Sequence, residues 1–281
     1  MKSNPSSLVS FLKDWTPPAL LRIAQKGLIK PHKGIRFEGK FKTWEEAASK
    51  CGGYDDATIL SKVLDATLKV KSGDAACERD SVLFHSINYS WPVLAAIMWA
   101  AARNGGRLSV LDFGGALGSS YFQSRKFLIG LPAVCWSVVE QSHYVEAGQA
   151  LIKDDWLRFY GKVEECLAEQ TPNVILLSGV LQCIADPQRL LATLLASGCD
   201  MVILDRTCYV KEGRRERISI QHVPSSIYAA SYPCRFFVEN DLLATFEAAG
   251  YALVERFAAT DNVDPSAICW KGHIFLRTGR G

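Results

Sequence analysis

From about residue 79 onward, short apolar runs alternate with segments of helical apolar spacing, and this alternation restricts the chain to a layered α/β fold. Arg107 to Asp112, Ala133 to Glu140, Leu157 to Tyr160, Asn173 to Ser178 and Met201 to Asp205 read as strands. Helices are predicted to begin near Gly118, to run through Ile152, and to cover Val163 to Ala168 and Pro187 to Ala196. Strands that are apolar throughout and separated by helices form a parallel sheet covered on both faces. Upstream, Pro92 suits the first turn of a helix ending at Arg103, which Asn104-Gly-Gly106 stops. After the fifth strand a loop of about 30 residues is expected, then a helix over Glu239 to Ala249. Tyr251 to Phe257 and Ala267 to Arg277 read as an antiparallel hairpin at one sheet edge, joined by the polar turn Ala259 to Pro265.

Residues 1 to 78 have a different texture and are read as a helical N-terminal extension, with the main domain over 79–281. Ser7 to Gly27 is amphipathic, carrying Leu8, Phe11, Leu12, Trp15, Leu20, Leu21 and Ile23 around Pro17-Pro18. It suits two short helices that pack on the main domain, or a surface that docks a membrane or partner. Thr43 is an N-cap for a helix after Phe37 to Trp44, Cys51 to Asp55 is a turn, and Ile59 to Val70 has helical spacing.

Charge and cysteine usage narrow the function classes. The net charge of +3 is small, and the one compact basic run, Lys211 to Arg217, is broken by two acids, so no nucleic-acid partner is expected. Nine cysteines with no Cys-x-x-Cys pair argue against a disulfide framework or a structural zinc, and for a reducing cytoplasm. No apolar run approaches the length of about 18 residues that a spanning helix needs; peripheral membrane contact stays open.

A parallel sheet binds ligands beyond the carboxyl ends of its strands, at the topological switch point. The first strand and its loop, Val110-Leu-Asp-Phe-Gly-Gly-Ala-Leu-Gly118, therefore carry Asp112, Gly114, Gly115 and Gly118 to that place, and the helix after them offers free N–H groups. A dinucleotide fingerprint aligned on Gly115 and Gly118 would need glycine at Phe113, and no phosphate-loop Gly-Lys-Ser/Thr occurs. Glu140, 28 residues after Asp112, ends the second strand where a carboxylate can accept both ribose hydroxyl hydrogens. Ser178 and Gln182 follow the fourth strand and are candidates to touch the ligand; Tyr160 or Gly161 is a candidate to pass a base. These residues describe a nucleoside site.

The order Asp-x-Gly-Gly-x-x-Gly, strand-end Glu140, Ser178-Gly-Val-Leu-Gln-Cys183 and a terminal antiparallel hairpin resembles class I methyltransferases. More narrowly, Glu78-Arg-Asp-Ser81, Tyr89-Ser-Trp-Pro92, Leu111-Asp-Phe-Gly-Gly115, Gly118-Ser-Ser-Tyr121, Val139-Glu-Gln141, Asp205-Arg-Thr207 and Ala230-Ser-Tyr-Pro-Cys234 look like a bacterial methyltransferase family of undefined substrate, often associated with surface-polysaccharide genes. The resemblance implies a Rossmann-like, mostly parallel seven-stranded sheet and S-adenosyl-L-methionine as cofactor. It adds Ser119 and Gln141 to the cofactor residues. The family's acidic-x-Gly-x-Gly-x-Gly reads here Asp112, Gly114, Ala116, Gly118, so one glycine is replaced. The implied reaction is methylation of a hydroxyl on a saccharide or similar small polar acceptor. Other acceptors (a carboxylate or amine) and a non-catalytic nucleoside-binding regulator stay open. For catalysis, His222 in the segment after strand five is a candidate base. Asp205 can orient it or bind a sugar hydroxyl, and Arg206 can clamp an anionic group. His143 is a cofactor-flanking candidate, His85 a second base candidate, and Tyr228, Tyr232 and Arg235 candidate pocket residues.

Overall fold

The computed structural model describes residues 35–53, 57–225, 227–259 and 268–279. The amphipathic stretch Ser7 to Gly27 and most of the Ala259 to Pro265 turn lie outside the described residues. The chain divides into Met1–Arg36 and Phe37–Gly281, and the second unit holds every element below except the first residue of β1.

A seven-stranded sheet forms the centre. Its strands are β4 (Arg107–Phe113), β5 (Ala133–Val139), β6 (Leu157–Tyr160), β7 (Val174–Ser178), β8 (Met201–Val210), β11 (Tyr251–Ala258) and β12 (Ile268–Arg277). Their order across the sheet is β11-β12-β8-β7-β4-β5-β6. Pairing is parallel from β8 to β6, and only β12 is reversed, antiparallel to β8 and β11. Strand order and polarity are those of the class I methyltransferase sheet. The chain lays β4, β5 and β6 outward to one side and then crosses back to β7, so the switch point lies between β4 and β7.

The strands are apolar on both faces because helices cover both. Alternate residues belong to different cores: Val110, Val174, Leu176, Met201 and Ile203 to one, Leu111, Ile175, Leu177, Val202 and Leu204 to the other. The first core is closed by α2 (Ala57–Ser72), α3 (Trp91–Arg103), α4 (Ser119–Leu128) and α5 (Ser142–Ala147). The second is closed by α6 (Val163–Glu169), α7 (Pro187–Ala196) and α8 (Glu239–Ala248). α5 passes into a π-helical turn at Gly148–Ile152, where a Cβ on Gly148 would lie 2.6 Å from the Phe159 ring.

One expectation is corrected. The segment after strand five is not a loop. β8 runs on to Val210, and β9 (Arg217–Val223) and β10 (Ala230–Phe236) pair antiparallel, forming a second sheet of order β1-β9-β10 with β1 (Arg36–Phe41). Ile218 and Ile220 alternate with Ser219 and Gln221 and pack on α1 (Trp44–Ala48), the helix that Thr43 caps through Glu46 N. Pro233 is tolerated because β10 is an edge strand. β2 (Cys77–Arg79) pairs with β3 (Val82–Phe84) through a two-residue turn. Asp80 and Ser81 both have positive φ there, as a tight hairpin turn demands. Ile59 and Val63 of α2 belong to the first core.

Candidate active site

Asp112 is one residue from the end of β4, on the same face as Val110, and is buried. Its Oδ2 accepts from Trp136 Nε1 of β5 at 3.0 Å, while Oδ1 is buried with no hydrogen-bond partner. The glycine loop folds directly over this carboxyl, since a Cβ on Gly115 would come within 2.6 Å of it. Burial pushes the Asp112 pKa up to about 7; Glu140 adds to the rise, and Trp136 and Arg206 oppose it. Gly114 has φ +70, and a Cβ there would strike Val180 at 2.3 Å, so the loops after β4 and β7 touch only because this residue is glycine. Gly118, with φ +93, starts α4.

Glu140 follows β5 and turns back toward the loop. Its Oε1 accepts from Ala116 N at 3.3 Å and its Oε2 from Gln141 N at 2.8 Å. Burial raises its pKa, and these two N–H groups and His143 lower it. Ala116, the residue that departs from the glycine pattern, has φ +50, a left-handed conformation that costs an alanine roughly 1–2 kcal/mol.

On β8, Asp205 pairs in register with Ser178 at the end of β7. In a regular strand, Asp205 and Arg206 would point to opposite faces. Here the β8–β12 register shifts between Lys271 and His273, opposite Leu204 to Thr207, and Arg206 has φ +50. This bulge brings both side chains to Ser178: Asp205 Oδ2 accepts from its Oγ at 2.7 Å, and Arg206 Nε donates to the same oxygen at 3.3 Å. Gln182, buried in the 3₁₀ turn after β7, donates to Gly179 O at 2.8 Å and to Arg206 O at 3.3 Å. Asp205 Oδ1 and Gln182 Oε1 are buried acceptors without a partner.

Glu78, at the centre of β2, was visible in the sequence only as part of a family motif, with no role attached. It is buried, accepts a short hydrogen bond from Ser119 Oγ at the start of α4, and accepts from Ser81 N at 3.2 Å. Burial raises its pKa, and Arg206 is among the groups that lower it. Arg206 is therefore a countercharge shared by Glu78, Asp112 and Asp205. No local sequence pattern announces that role, because the β2–β3 turn creates it.

The structure thus brings together Asp112, Gly114, Gly115, Gly118, Ser119, Glu140 and Gln141, and beside them Ser178, Gln182, Asp205 and Arg206. It does not bring His222 to Asp205. The His222 Nε2 is 3.0 Å from Glu38 Oε2 of β1, and His222 shares strand parity with Ile218 and Ile220, on the α1 face of the small sheet. Gln221, on the other face, donates to Tyr232 OH at 2.8 Å. Tyr160 is a packing residue whose hydroxyl donates to Glu169 and accepts from Gln170. Tyr228 is buried in the first core, and Arg235 is held by Glu216 and Ala185 O. Among the described residues, no group of three or more His, Cys, Asp or Glu has metal-holding geometry, and no helix is long and apolar enough to cross a membrane.

No protein-family model and no curated protein matches the chain. Several solved structures are similar in shape. The N-terminal domain of EvdMO1, in the presence of SAH and D-fucose, has 15% identity and a TM-score of 0.47, covering 76% of this chain and 96% of that one. Magnesium protoporphyrin IX methyltransferase (ChlM) from Synechocystis PCC 6803, with bound SAM, has 13% identity and a TM-score of 0.43, covering 79% and 100%. SAM-bound CalS10, an amino pentose methyltransferase from Micromonospora echinaspora, has 13% identity and a TM-score of 0.41, covering 68% and 93%. The fold assignment itself rests on strand order and polarity.

Proposed function

We propose that the chain is an S-adenosylmethionine-dependent methyltransferase whose acceptor presents a hydroxyl, as on a saccharide or a similar small polar molecule. The observation that carries this reading is the charge of the switch-point cleft. Three carboxyl groups, Glu78, Asp112 and Asp205, share one guanidinium, Arg206, and a fourth, Glu140, acts on Asp112. A cationic sulfonium with an ammonium group suits such a cleft, whereas the pyrophosphate of a dinucleotide would be repelled by it. The residues fit the cofactor in detail. Each Glu140 oxygen accepts one main-chain N–H and keeps capacity for a ribose hydroxyl. The buried Asp112 Oδ1 and Gln182 Oε1 are acceptors that lack donors. The first N–H groups of α4, behind Gly118 and Ser119, suit a carboxylate.

When bound, the cofactor supplies a methyl group on a positively charged sulfur, open to in-line attack. The protein's own contribution is alignment, which can be worth on the order of 7–11 kcal/mol at best. Asp205 Oδ1 accepts the hydroxyl hydrogen of the acceptor, and Ser178 and Arg206 fix the Asp205 carboxylate. Arg206 also suits an anionic substituent on the acceptor, which favours a carboxylate acceptor as the second reading. The likeness to a family associated with surface-polysaccharide genes directs the acceptor search to sugar nucleotides and lipid-linked glycans. Nine free cysteines suit a reducing compartment, the cytoplasm.

A methyl-transfer assay read by mass shift, across those acceptors and a set of carboxylates and amines, tests the reading. Asp205→Asn should keep S-adenosylmethionine affinity and lose turnover by about 100-fold or more, the scale of a lost proton-accepting group. Wild-type turnover in that variant would remove Asp205 from the reaction.

A further inference from the structure

Between residues 81 and 139 the chain carries a single acid, Asp112, which is buried, and four exposed cations, Arg103, Arg107, Arg125 and Lys126, of which Arg125 pairs with Asp154 at 3.9 Å. The same segment exposes aromatic rings. α3 turns Trp91, Ala95 and Trp99 to solvent at four-residue spacing, with Trp91 60% exposed. The Trp91 ring meets Tyr89 at 4.8 Å and Phe127 of α4 at 6.1 Å, so three rings form one surface cluster. Lys126 Nζ lies 4.7 Å from the Tyr89 ring centroid and 4.8 Å from that of Phe127, and the Arg103 guanidinium lies 5.6 Å from the Trp99 ring centroid. Ile129, just past α4, is 70% exposed.

An exposed indole clustered with two half-buried rings and flanked by cations suits a docking surface. We propose that this α3–α4 face seats on an anionic phospholipid surface. Indole and phenol rings favour the headgroup level of a bilayer, where an apolar body and a polar edge are both satisfied. The cations that overlie the rings meet anionic headgroups at that same depth, and no exposed acid in the segment opposes them. The proposal is independent of the reaction the cleft performs.

Co-sedimentation of the full chain with phosphatidylcholine vesicles, with and without phosphatidylglycerol, tests it. Wild type should sediment with the anionic vesicles and lose that binding as salt is raised. Arg103→Gln and Lys126→Gln should each lower partitioning about fivefold on anionic vesicles only. Trp91→Ser should lower it on both vesicle types. These positions are exposed, and equal urea midpoints will show that each variant folds. Absence of wild-type sedimentation would overturn the proposal. So would unchanged partitioning in a variant that combines Trp91→Ser, Arg103→Gln and Lys126→Gln, which would put the lipid contact elsewhere in the chain. A wild-type dimer in light scattering that Trp91→Ser makes monomeric, without vesicle binding, would assign the face to a second copy instead.

Discussion

Replacing Asp112 by Asn should make the ligand-free protein more stable at neutral and alkaline pH. An aspartate in the unfolded chain titrates near 3.8, whereas the native Asp112 pKa is pushed up to about 7 because burial beneath Gly115 removes water from the carboxyl. Between those values the native state holds a proton that the unfolded state has released. Stability is therefore highest at low pH and falls as pH rises through the window, the reverse of the usual salt-bridged aspartate. At 1.36 kcal/mol per unit, the loss attributable to Asp112 from pH 5 to pH 7 is about 2 kcal/mol. Burial raises Glu78 and Glu140 in the same direction, so the wild-type slope contains their contributions as well. Asn keeps an oxygen to accept from Trp136 Nε1 and carries no charge to bury. Urea unfolding at pH 5 and pH 8 should show the stability of Asp112→Asn relative to wild type rising by about 3 kcal/mol from the lower pH to the higher. Parallel pH dependence in both proteins, or an Asn variant less stable at pH 8, would refute a carboxyl whose burial outweighs the compensation from Trp136 and Arg206.

Ala116→Gly should relieve the left-handed strain at φ +50 and stabilise the loop by up to about 1 kcal/mol after the entropy of glycine is counted, read as a shift in urea midpoint. Gly114→Ala should do the opposite, because its Cβ would sit 2.3 Å from Val180 at φ +70; a folded variant with undiminished S-adenosylhomocysteine affinity would show that the loop contact is dispensable. Glu140→Gln should weaken that affinity by roughly 1–3 kcal/mol, measured by calorimetry. His222→Ala should leave turnover within about twofold, since its ring pairs with Glu38; a loss of about 100-fold would reinstate it as the base.

The central sheet was legible because its signal is local. Val110, Val174 to Leu177 and Met201 to Leu204 are apolar at every step, as a doubly covered parallel strand requires, and Pro187 after Asp186 announces α7, with Asp186 accepting from Arg189 N. β9 and β10 escaped notice because their partners are remote and mixed in polarity. Ser219 donates to Gly39 O, 180 residues away, and Pro233 argues locally against a strand. In the cleft, Asp112 and Glu140 could be read from strand ends and a glycine loop. The meeting of Asp205 with Arg206 could not, because it depends on a bulge that places an arginine at positive φ. Glu78 depends in the same way on the turn at Asp80 and Ser81, whose geometry delivers a buried carboxylate to Ser119. His222 looked catalytic by residue type and position in sequence, but strand parity sends it to the opposite face of its sheet from Gln221.

The claim on which the rest depends is that the cleft between β4 and β7 accepts a sulfur nucleoside and rejects a dinucleotide. Calorimetric titration of the purified chain with S-adenosylmethionine, S-adenosylhomocysteine and NAD tests it most directly. Saturable one-to-one binding of both sulfur nucleosides, with no heat of binding from NAD, is the expected result. Saturable NAD binding with no response to either sulfur nucleoside would contradict it.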